Sequence, residues 1–135
     1  MQFVSKQLVR WDDLDAFGHV NNAKYLTYAQ EARFLWATEE YSAAMRDSSL
    51  VEMVVARAEV DFLQPIYDGG RFVDVAITIE TIGNSSFTMV FAISDGEKVF
   101  AKVKTVQVAI SLESKKPRPL NDKEREFLTK YLAKS

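Results

Sequence analysis

After a first strand the hydrophobic positions pass from a helical period to a strand-like one, and that change separates one long helix from a run of strands. Phe3 to Trp11 mixes apolar and polar residues without a breaker and predicts a first strand. From Asn22 to Glu40 there is no Gly or Pro, and Tyr25, Ala29, Ala32 and Trp36 fall three or four residues apart. Tyr28 and Leu35 widen that face, so the spacing predicts a helix of about five turns with a stripe broad enough for deep burial. Residues 41–50 read as a connection with room for a short helical turn. From Val54 the period is two: Val54, Ala56, Ala58, Val60 and Phe62 alternate with Val55, Arg57, Glu59, Asp61 and Leu63. Val73, Val75, Ile77 and Ile79 follow, and after Gly83-Asn84-Ser85 come Phe87, Met89, Phe91 and Ile93. Asp95-Gly96 marks a hairpin. In the last strand Val99, Ala101 and Val103 share one parity and Val106, Val108 and Ile110 the other. That switch predicts a β-bulge near Lys104-Thr105, or a strand serving two surroundings. Pro117 and Pro119 end the sheet region, and Asn121 with Glu124 forms a capping box for a final helix through Leu132.

Consecutive hairpins require antiparallel pairing, and one long helix against such a sheet is a two-layer α+β sandwich. Residues 1–135 read as a single domain without repeat, linker or low-complexity segment. The second face of the sheet carries Arg57, Glu59, Asp61, Thr78 and Glu80, polar enough for solvent or a wet interface.

Composition narrows the function classes. With 47% hydrophobic and 27% charged residues, the chain reads as a folded globular protein rather than a disordered one. A net charge of −2 gives no electrostatic footprint for nucleic acid. MQFVSKQLVRW has no apolar stretch like a signal peptide and no run approaches a membrane span, so the expected location is cytoplasmic, without membrane partners. The absence of cysteine excludes disulfides, thiolate metal sites and a cysteine nucleophile. The short basic cluster Lys115, Lys116 and Arg118 reads as a solvated turn or as a contact for a phosphate-bearing ligand.

One stretch does little for a core. WDDLDAFGHVNNAKYL, Trp11 to Leu26, holds three acids, the only histidine, a glycine and two adjacent asparagines. Asn21 or Asn22 can cap the long helix, whose free N–H groups then point back toward Asp13 and Asp15. A helix N-terminus suits a developing negative charge, and Gly18 permits close approach or positive φ just before it. An acid beside an oxyanion-stabilising helix end is the minimum equipment for adding water to a carbonyl. The same residues also read as an ordinary capping loop with a hydrogen-bonded histidine. One His with Asp12, Asp13 and Asp15 lacks the multi-His pattern of a catalytic zinc site, and no G-x-S-x-G element supports a serine triad.

The spacing D-x-D-x-x-G-H-V-N-N-x-x-Y, occupied by Asp13, Asp15, Gly18, His19, Val20, Asn21, Asn22 and Tyr25, resembles the hotdog-fold acyl-CoA thioesterases, including the 4-hydroxybenzoyl-CoA thioesterase group. Its D-L-D-x-x-x-H-V-N-N-x-K-Y portion also resembles the plant acyl-carrier-protein thioesterases. "DFLQPIYDGG", "IGNSSF" and "KPRPLNDKEREFL" extend the likeness to nearly the whole chain. The resemblance implies a hotdog: one long central helix wrapped by a five-stranded antiparallel sheet, with a short C-terminal helix. It implies hydrolysis of an acyl-CoA or acyl-carrier-protein thioester without metal or organic cofactor, in a homodimer or homotetramer with sites at the subunit interface. By position, Asp15 matches the catalytic carboxylate and Asn22 the residue whose backbone N–H polarises the thioester carbonyl. His19 matches a histidine that acts in the plant group and supports the loop elsewhere. Two departures stand out: Phe17 replaces an asparagine of the plant enzymes, and Ala16-Phe17 with His19 replaces Pro-Ala without histidine in the hydroxybenzoyl enzyme. Gly18, Asn21, Tyr25, Ser86, Lys104 and Arg118 are candidate substrate contacts, the last two for CoA phosphates alongside Lys102, Lys115 and Lys116. Glu59 and Asp61 are either second acids given to a partner's site or decoration of the open face.

Sparse equipment suits thioesters, because a thiol with pKa of roughly 8.5 leaves as thiolate without strong acid help. The competing readings are a hotdog hydratase or dehydratase, and a non-catalytic acyl-CoA-binding domain. Adjacent Asn21-Asn22 and the Tyr25 spacing favour hydrolysis.

Overall fold

The computed structural model describes residues 1–41 and 52–133. Five antiparallel strands, β1 (Phe3–Leu8), β2 (Met53–Phe62), β3 (Phe72–Ile82), β4 (Ser86–Ser94) and β5 (Val99–Ala109), form one sheet in the order β1-β3-β4-β5-β2. The long helix is α1 (Lys24–Leu35), twelve α-helical residues continued by a six-residue π-helical segment, Trp36–Tyr41. The last helix is α2 (Asp122–Thr129). The connection expected over residues 41–50 lies, apart from Tyr41, outside the described residues.

The helical stripe lands where its spacing puts it. Tyr25, Tyr28, Ala29, Ala32 and Trp36 are buried against the sheet, and Ala29 and Ala32 let the helix axis come close to it. The facing sheet surface is the alternating set Val73, Val75, Ile77, Ile79, Phe87, Met89, Phe91 and Ile93, all buried. Each such side chain contributes roughly 1.5–3 kcal/mol by leaving water, so this layer outweighs exposed pairs such as Lys6–Asp74, 2.8 Å, worth about 0–1 kcal/mol. α2 closes the far end of the core: Phe127 and Tyr131 pack on Trp36, and Phe127 on Tyr41. Asn121 and Glu124 make the expected reciprocal capping box, but the helix stops at Thr129 because Leu132 bridges to Ile79 of β3.

Two further boundaries and the position of the bulge differ from the sequence reading. The first strand ends at Leu8, and Trp11–Asp13 forms a 3-10 turn instead. Regular α1 starts at Lys24 rather than Asn22. The expected bulge near Lys104-Thr105 is absent from β5, which keeps one inward parity through Ala101, Val103, Thr105, Gln107 and Ala109. It lies on the neighbouring strand, between Val55 and Arg57 of β2. The extra residue there brings Ala58 opposite Thr105 after Val55 opposite Gln107, so β2 keeps facing inward across the irregularity. β2 is an edge strand, and Val54, Val55 and Phe62 are about half exposed on it.

Candidate active site

The loop between β1 and α1 is a miniature hairpin. Leu14 bridges Val20, Asp15 N–H donates to His19 O at 2.9 Å, and Gly18 N–H to Asp15 O at 3.0 Å. Gly18 sits at φ +80°, the left-handed position that such three-residue loops require and that an L side chain strains. Asp15 Oδ1 accepts from Phe17 N–H at 2.9 Å, the local bond that makes aspartate a good turn opener. This bond holds the carboxylate, whose residue lines the adjoining cleft. The hairpin is pinned to the β2–β3 connection by Val20 N–H on Ile66 O, 2.8 Å.

Asp13, two residues earlier, is fully buried and spends its carboxylate internally. Oδ2 accepts from Tyr28 Oη at 2.7 Å and Arg10 N–H at 3.0 Å, and Oδ1 from Arg10 Nη2 at 3.0 Å. Burial alone pushes its pKa up, but the hydrogen bonds from Arg10 N–H, Tyr28 and the Arg10 side chain, with the Arg10 charge, bring it below the ordinary carboxylate value. Burial, and then the bond to Asp13, drive the Tyr28 phenol far above its ordinary value. Asp13 is therefore a charged anchor between loop and helix, and Asp15 is the acid that faces out.

At the helix entrance Asn21 does the capping. Its Oδ1 accepts from Ala23 N–H at 3.0 Å and its carbonyl from Lys24 N–H at 2.9 Å, which closes a turn before the regular helix and explains the late start. Asn22 N–H lies between them with no acceptor among the described residues. A cleft of about 440 Å³ brings together Asp15, His19, Asn22 and Tyr25, walled by Phe62, Leu63 and Pro65. His19 is part-exposed, its ring stacked near Phe17 and edge-on to Tyr67; Nδ1 is 3.7 Å from Asp15 Oδ1, beyond a hydrogen bond, and 3.4 Å from Val20 O. An acid, one open backbone donor and apolar walls are a constellation that can add an oxygen nucleophile to a carbonyl.

A sequence profile of the thioesterase-like superfamily matches residues 9–128. The chain belongs to that family. It is 30% identical over 125 residues to 1,4-dihydroxy-2-naphthoyl-CoA hydrolase of Nostoc punctiforme, covering 90% of this chain and 83% of that one. A thioesterase from Thermus thermophilus, complexed with coenzyme A and Zn, superposes with TM-score 0.78 at 33% identity, covering 93% of this chain and 95% of that one. A predicted thioesterase from Bacillus stearothermophilus superposes with TM-score 0.86 at 26% identity, over 100% and 99% of the two chains. The architecture is the hotdog of these thioesterases, and the chain is a thioester hydrolase.

In this thioesterase the other expected contacts fall elsewhere within one chain. Gly18 and Asn21 shape the hairpin and the cap. Ser86 opens β4 opposite Val108, whereas Phe62 of the cleft pairs with Ala101, seven residues and roughly 23 Å away along β5. Lys104 is on the outer face, bonded to Glu80 at 2.9 Å, and Glu59 and Asp61 stand opposite Lys104 and Lys102 in the strand register there. Arg118 grips buried Glu124 with both Nη atoms, at 2.9 and 3.0 Å, so its place in a basic cluster concealed a helix-anchoring role. Sequence reasoning missed Tyr28 and the wall from Phe62 to Pro65; "DFLQPIYDGG" was the available signal for the wall. Among the described residues no helix is long and apolar enough to cross a membrane.

Proposed function

We propose that the substrate is an acyl-CoA thioester, hydrolysed in the Asp15 cleft to free acid and CoA. The observation that carries this reading is that Asp15 and the Asn22 N–H line one apolar-walled cleft while Asp13 is locked away from it. The thioester carbonyl oxygen accepts from Asn22 N–H, which stabilises the charge that develops on it. The carboxylate of Asp15 either takes a proton from a water that adds to the carbonyl carbon, or adds there itself. The C–S bond then breaks with sulfur leaving as thiolate, and on the second route water hydrolyses the resulting acyl–aspartyl anhydride to release the acid and restore Asp15. The coenzyme A complex of the Thermus relative and the CoA-thioester substrate named for the Nostoc relative support CoA over a carrier protein. A panel of acyl-CoAs with free thiol detected tests the reading: at least one member should turn over, and silence across aromatic and aliphatic members would refute it.

His19 positions the loop in this account rather than moving a proton, because its ring packs between Phe17 and Tyr67 and stands beyond hydrogen-bond length from Asp15. His19→Ala should therefore raise KM and lower the melting temperature while kcat falls less than about tenfold. A loss of about a hundredfold or more confined to kcat is the general acid–base signature and would contradict this role.

The working unit is a homodimer paired through the β2 edge. Unpaired N–H and C=O groups beside half-exposed Val54, Val55 and Phe62 are otherwise a standing liability. Any contact of Ser86, Lys104 or Arg118 with substrate would then come from the partner subunit. Sedimentation at micromolar concentration should give a dimer or larger; a fully active monomer would overturn this.

A further inference from the structure

We infer that a second cavity, between α1 and the β5–β2 edge, receives the far end of the acyl group, and that Thr105 and Gln107 select acyl groups bearing a hydroxyl there. The inference rests on the acyl-CoA reading above and adds to it a substrate class.

The cavity holds about 170 Å³, and its wall is apolar apart from Gln30 and Arg33 at the α1 side: Leu26 and Ala29 of α1, Val55 and Ala58 of β2, Phe91 of β4. Its floor is not. Thr105 and Gln107 occupy inward positions of β5 whose companions Ala101, Val103 and Ala109 are all apolar, and they are 5% and 1% exposed. Gln107 Nε2 donates to Thr105 Oγ1 at 2.8 Å. Gln107 Oε1 is buried with no partner among the described residues. A buried acceptor without a donor is destabilising, a penalty that an aliphatic residue at 107 would avoid. A ligand that donates a hydrogen bond removes this penalty; a plain alkyl or aryl acyl group does not.

The cavity is placed to receive such a group. Asn22, Leu26, Ala29 and Arg33 step along one side of the helix at intervals of three and four residues. At about 1.5 Å per residue the stretch from Leu26 to Arg33 lies roughly 6–16 Å beyond Asn22, within reach of an acyl group of moderate size whose carbonyl sits at Asn22 N–H. Arg33 also lines the cavity and makes no ion pair among the described residues, and burial lowers its pKa. Its N–H donors complement an oxygen lone pair, while Gln107 Oε1 complements an O–H. A hydroxyl offers both. A carboxylate would suit Arg33 but set its lone pairs against Gln107 Oε1.

The test uses matched acyl-CoAs that differ only in carrying hydrogen, hydroxyl or carboxylate at the carbon furthest from the thioester, with kcat/KM measured for each. Binding of the corresponding non-hydrolysable thioethers is measured by calorimetry. The wild type should favour the hydroxyl member over both others by about tenfold or more, since a site built to bond a hydroxyl discriminates against its absence. Gln107→Leu should bring hydroxyl and hydrogen members within about threefold of each other while still hydrolysing the unsubstituted one. Thr105→Val reads the same pair should Gln107→Leu fail to fold. Preference for the hydrogen or carboxylate member in the wild type, or an unchanged hydroxyl preference in the variants, overturns the inference. Hydroxyl-selective thioether binding without any turnover would instead refute the hydrolytic reading and leave this pocket standing.

Discussion

Asp15→Asn leaves the protein folded and removes most of its thioester hydrolysis, with kcat lower by about a thousandfold, within the 10²–10⁴ range of a positioned proton acceptor. The structural part of this expectation comes from the loop. Asp15 is partly exposed, and its one internal bond, Phe17 N–H to Oδ1, is one an asparagine carbonyl keeps. Melting should stay within about 3 °C of wild type, the shift that roughly 0.5–1 kcal/mol gives a domain of this size. The chemical part follows from charge: a carboxamide neither accepts a proton from water nor attacks a thioester. Steady-state turnover and thermal melting of the purified variant check both halves. Near-wild-type kcat in a folded Asp15→Asn protein would remove Asp15 from the mechanism.

Asp13→Ala produces the opposite pattern, a large loss of stability. The substitution strands the Tyr28 hydroxyl and the Arg10 backbone N–H, both held by the buried carboxylate. At roughly 1–3 kcal/mol for each orphaned group, the cost is about 3 kcal/mol or more, seen as a melting temperature lower by about 10 °C. Titration supplies a second readout. The folded-state pKa of Asp13 lies below its ordinary value, so the stability it contributes is complete above the unfolded-state value near 3.9 and is lost as pH falls through the depressed one. Acid unfolding of the wild type should therefore carry a contribution in that window that Asp13→Asn lacks. Equal stability of Asp13→Ala and wild type would mean that the Arg10–Asp13–Tyr28 cluster does not hold the loop to the helix.

These two aspartates mark how far the sequence could be read. Both belong to one motif, and its spacing does not show which is buried: Arg10, three residues before Asp13, and Tyr28, fifteen residues after it, take up that carboxylate only in the folded chain. The helix itself was legible because Tyr25, Ala29, Ala32 and Trp36 repeat at the helical period, and β3 and β4 because Val73 to Ile79 and Phe87 to Ile93 alternate without a break. β2 and β5 were legible only as strands. The bulge sits on β2, where the alternating residues are too similar for parity to show, and the apparent parity switch on β5 came from two polar residues, Thr105 and Gln107, turned inward. Strand periodicity assumes that inward residues are apolar, so it fails where a pocket floor is polar. Arg118 illustrates a second limit. Its neighbours Lys115 and Lys116 suggested a phosphate contact, whereas Glu124, six residues onward, engages the guanidinium.

The crystal structure of the Asp15→Asn variant with an intact acyl-CoA tests the central claim most directly. The thioester carbonyl oxygen should accept from Asn22 N–H at about 3 Å, with the residue 15 side chain about 3–3.5 Å from the carbonyl carbon and the acyl group directed along α1 toward Gln107. A thioester bound on the outer face of the sheet, beside Glu59, Asp61 and Lys104, or one whose carbonyl turns away from Asn22, would contradict it.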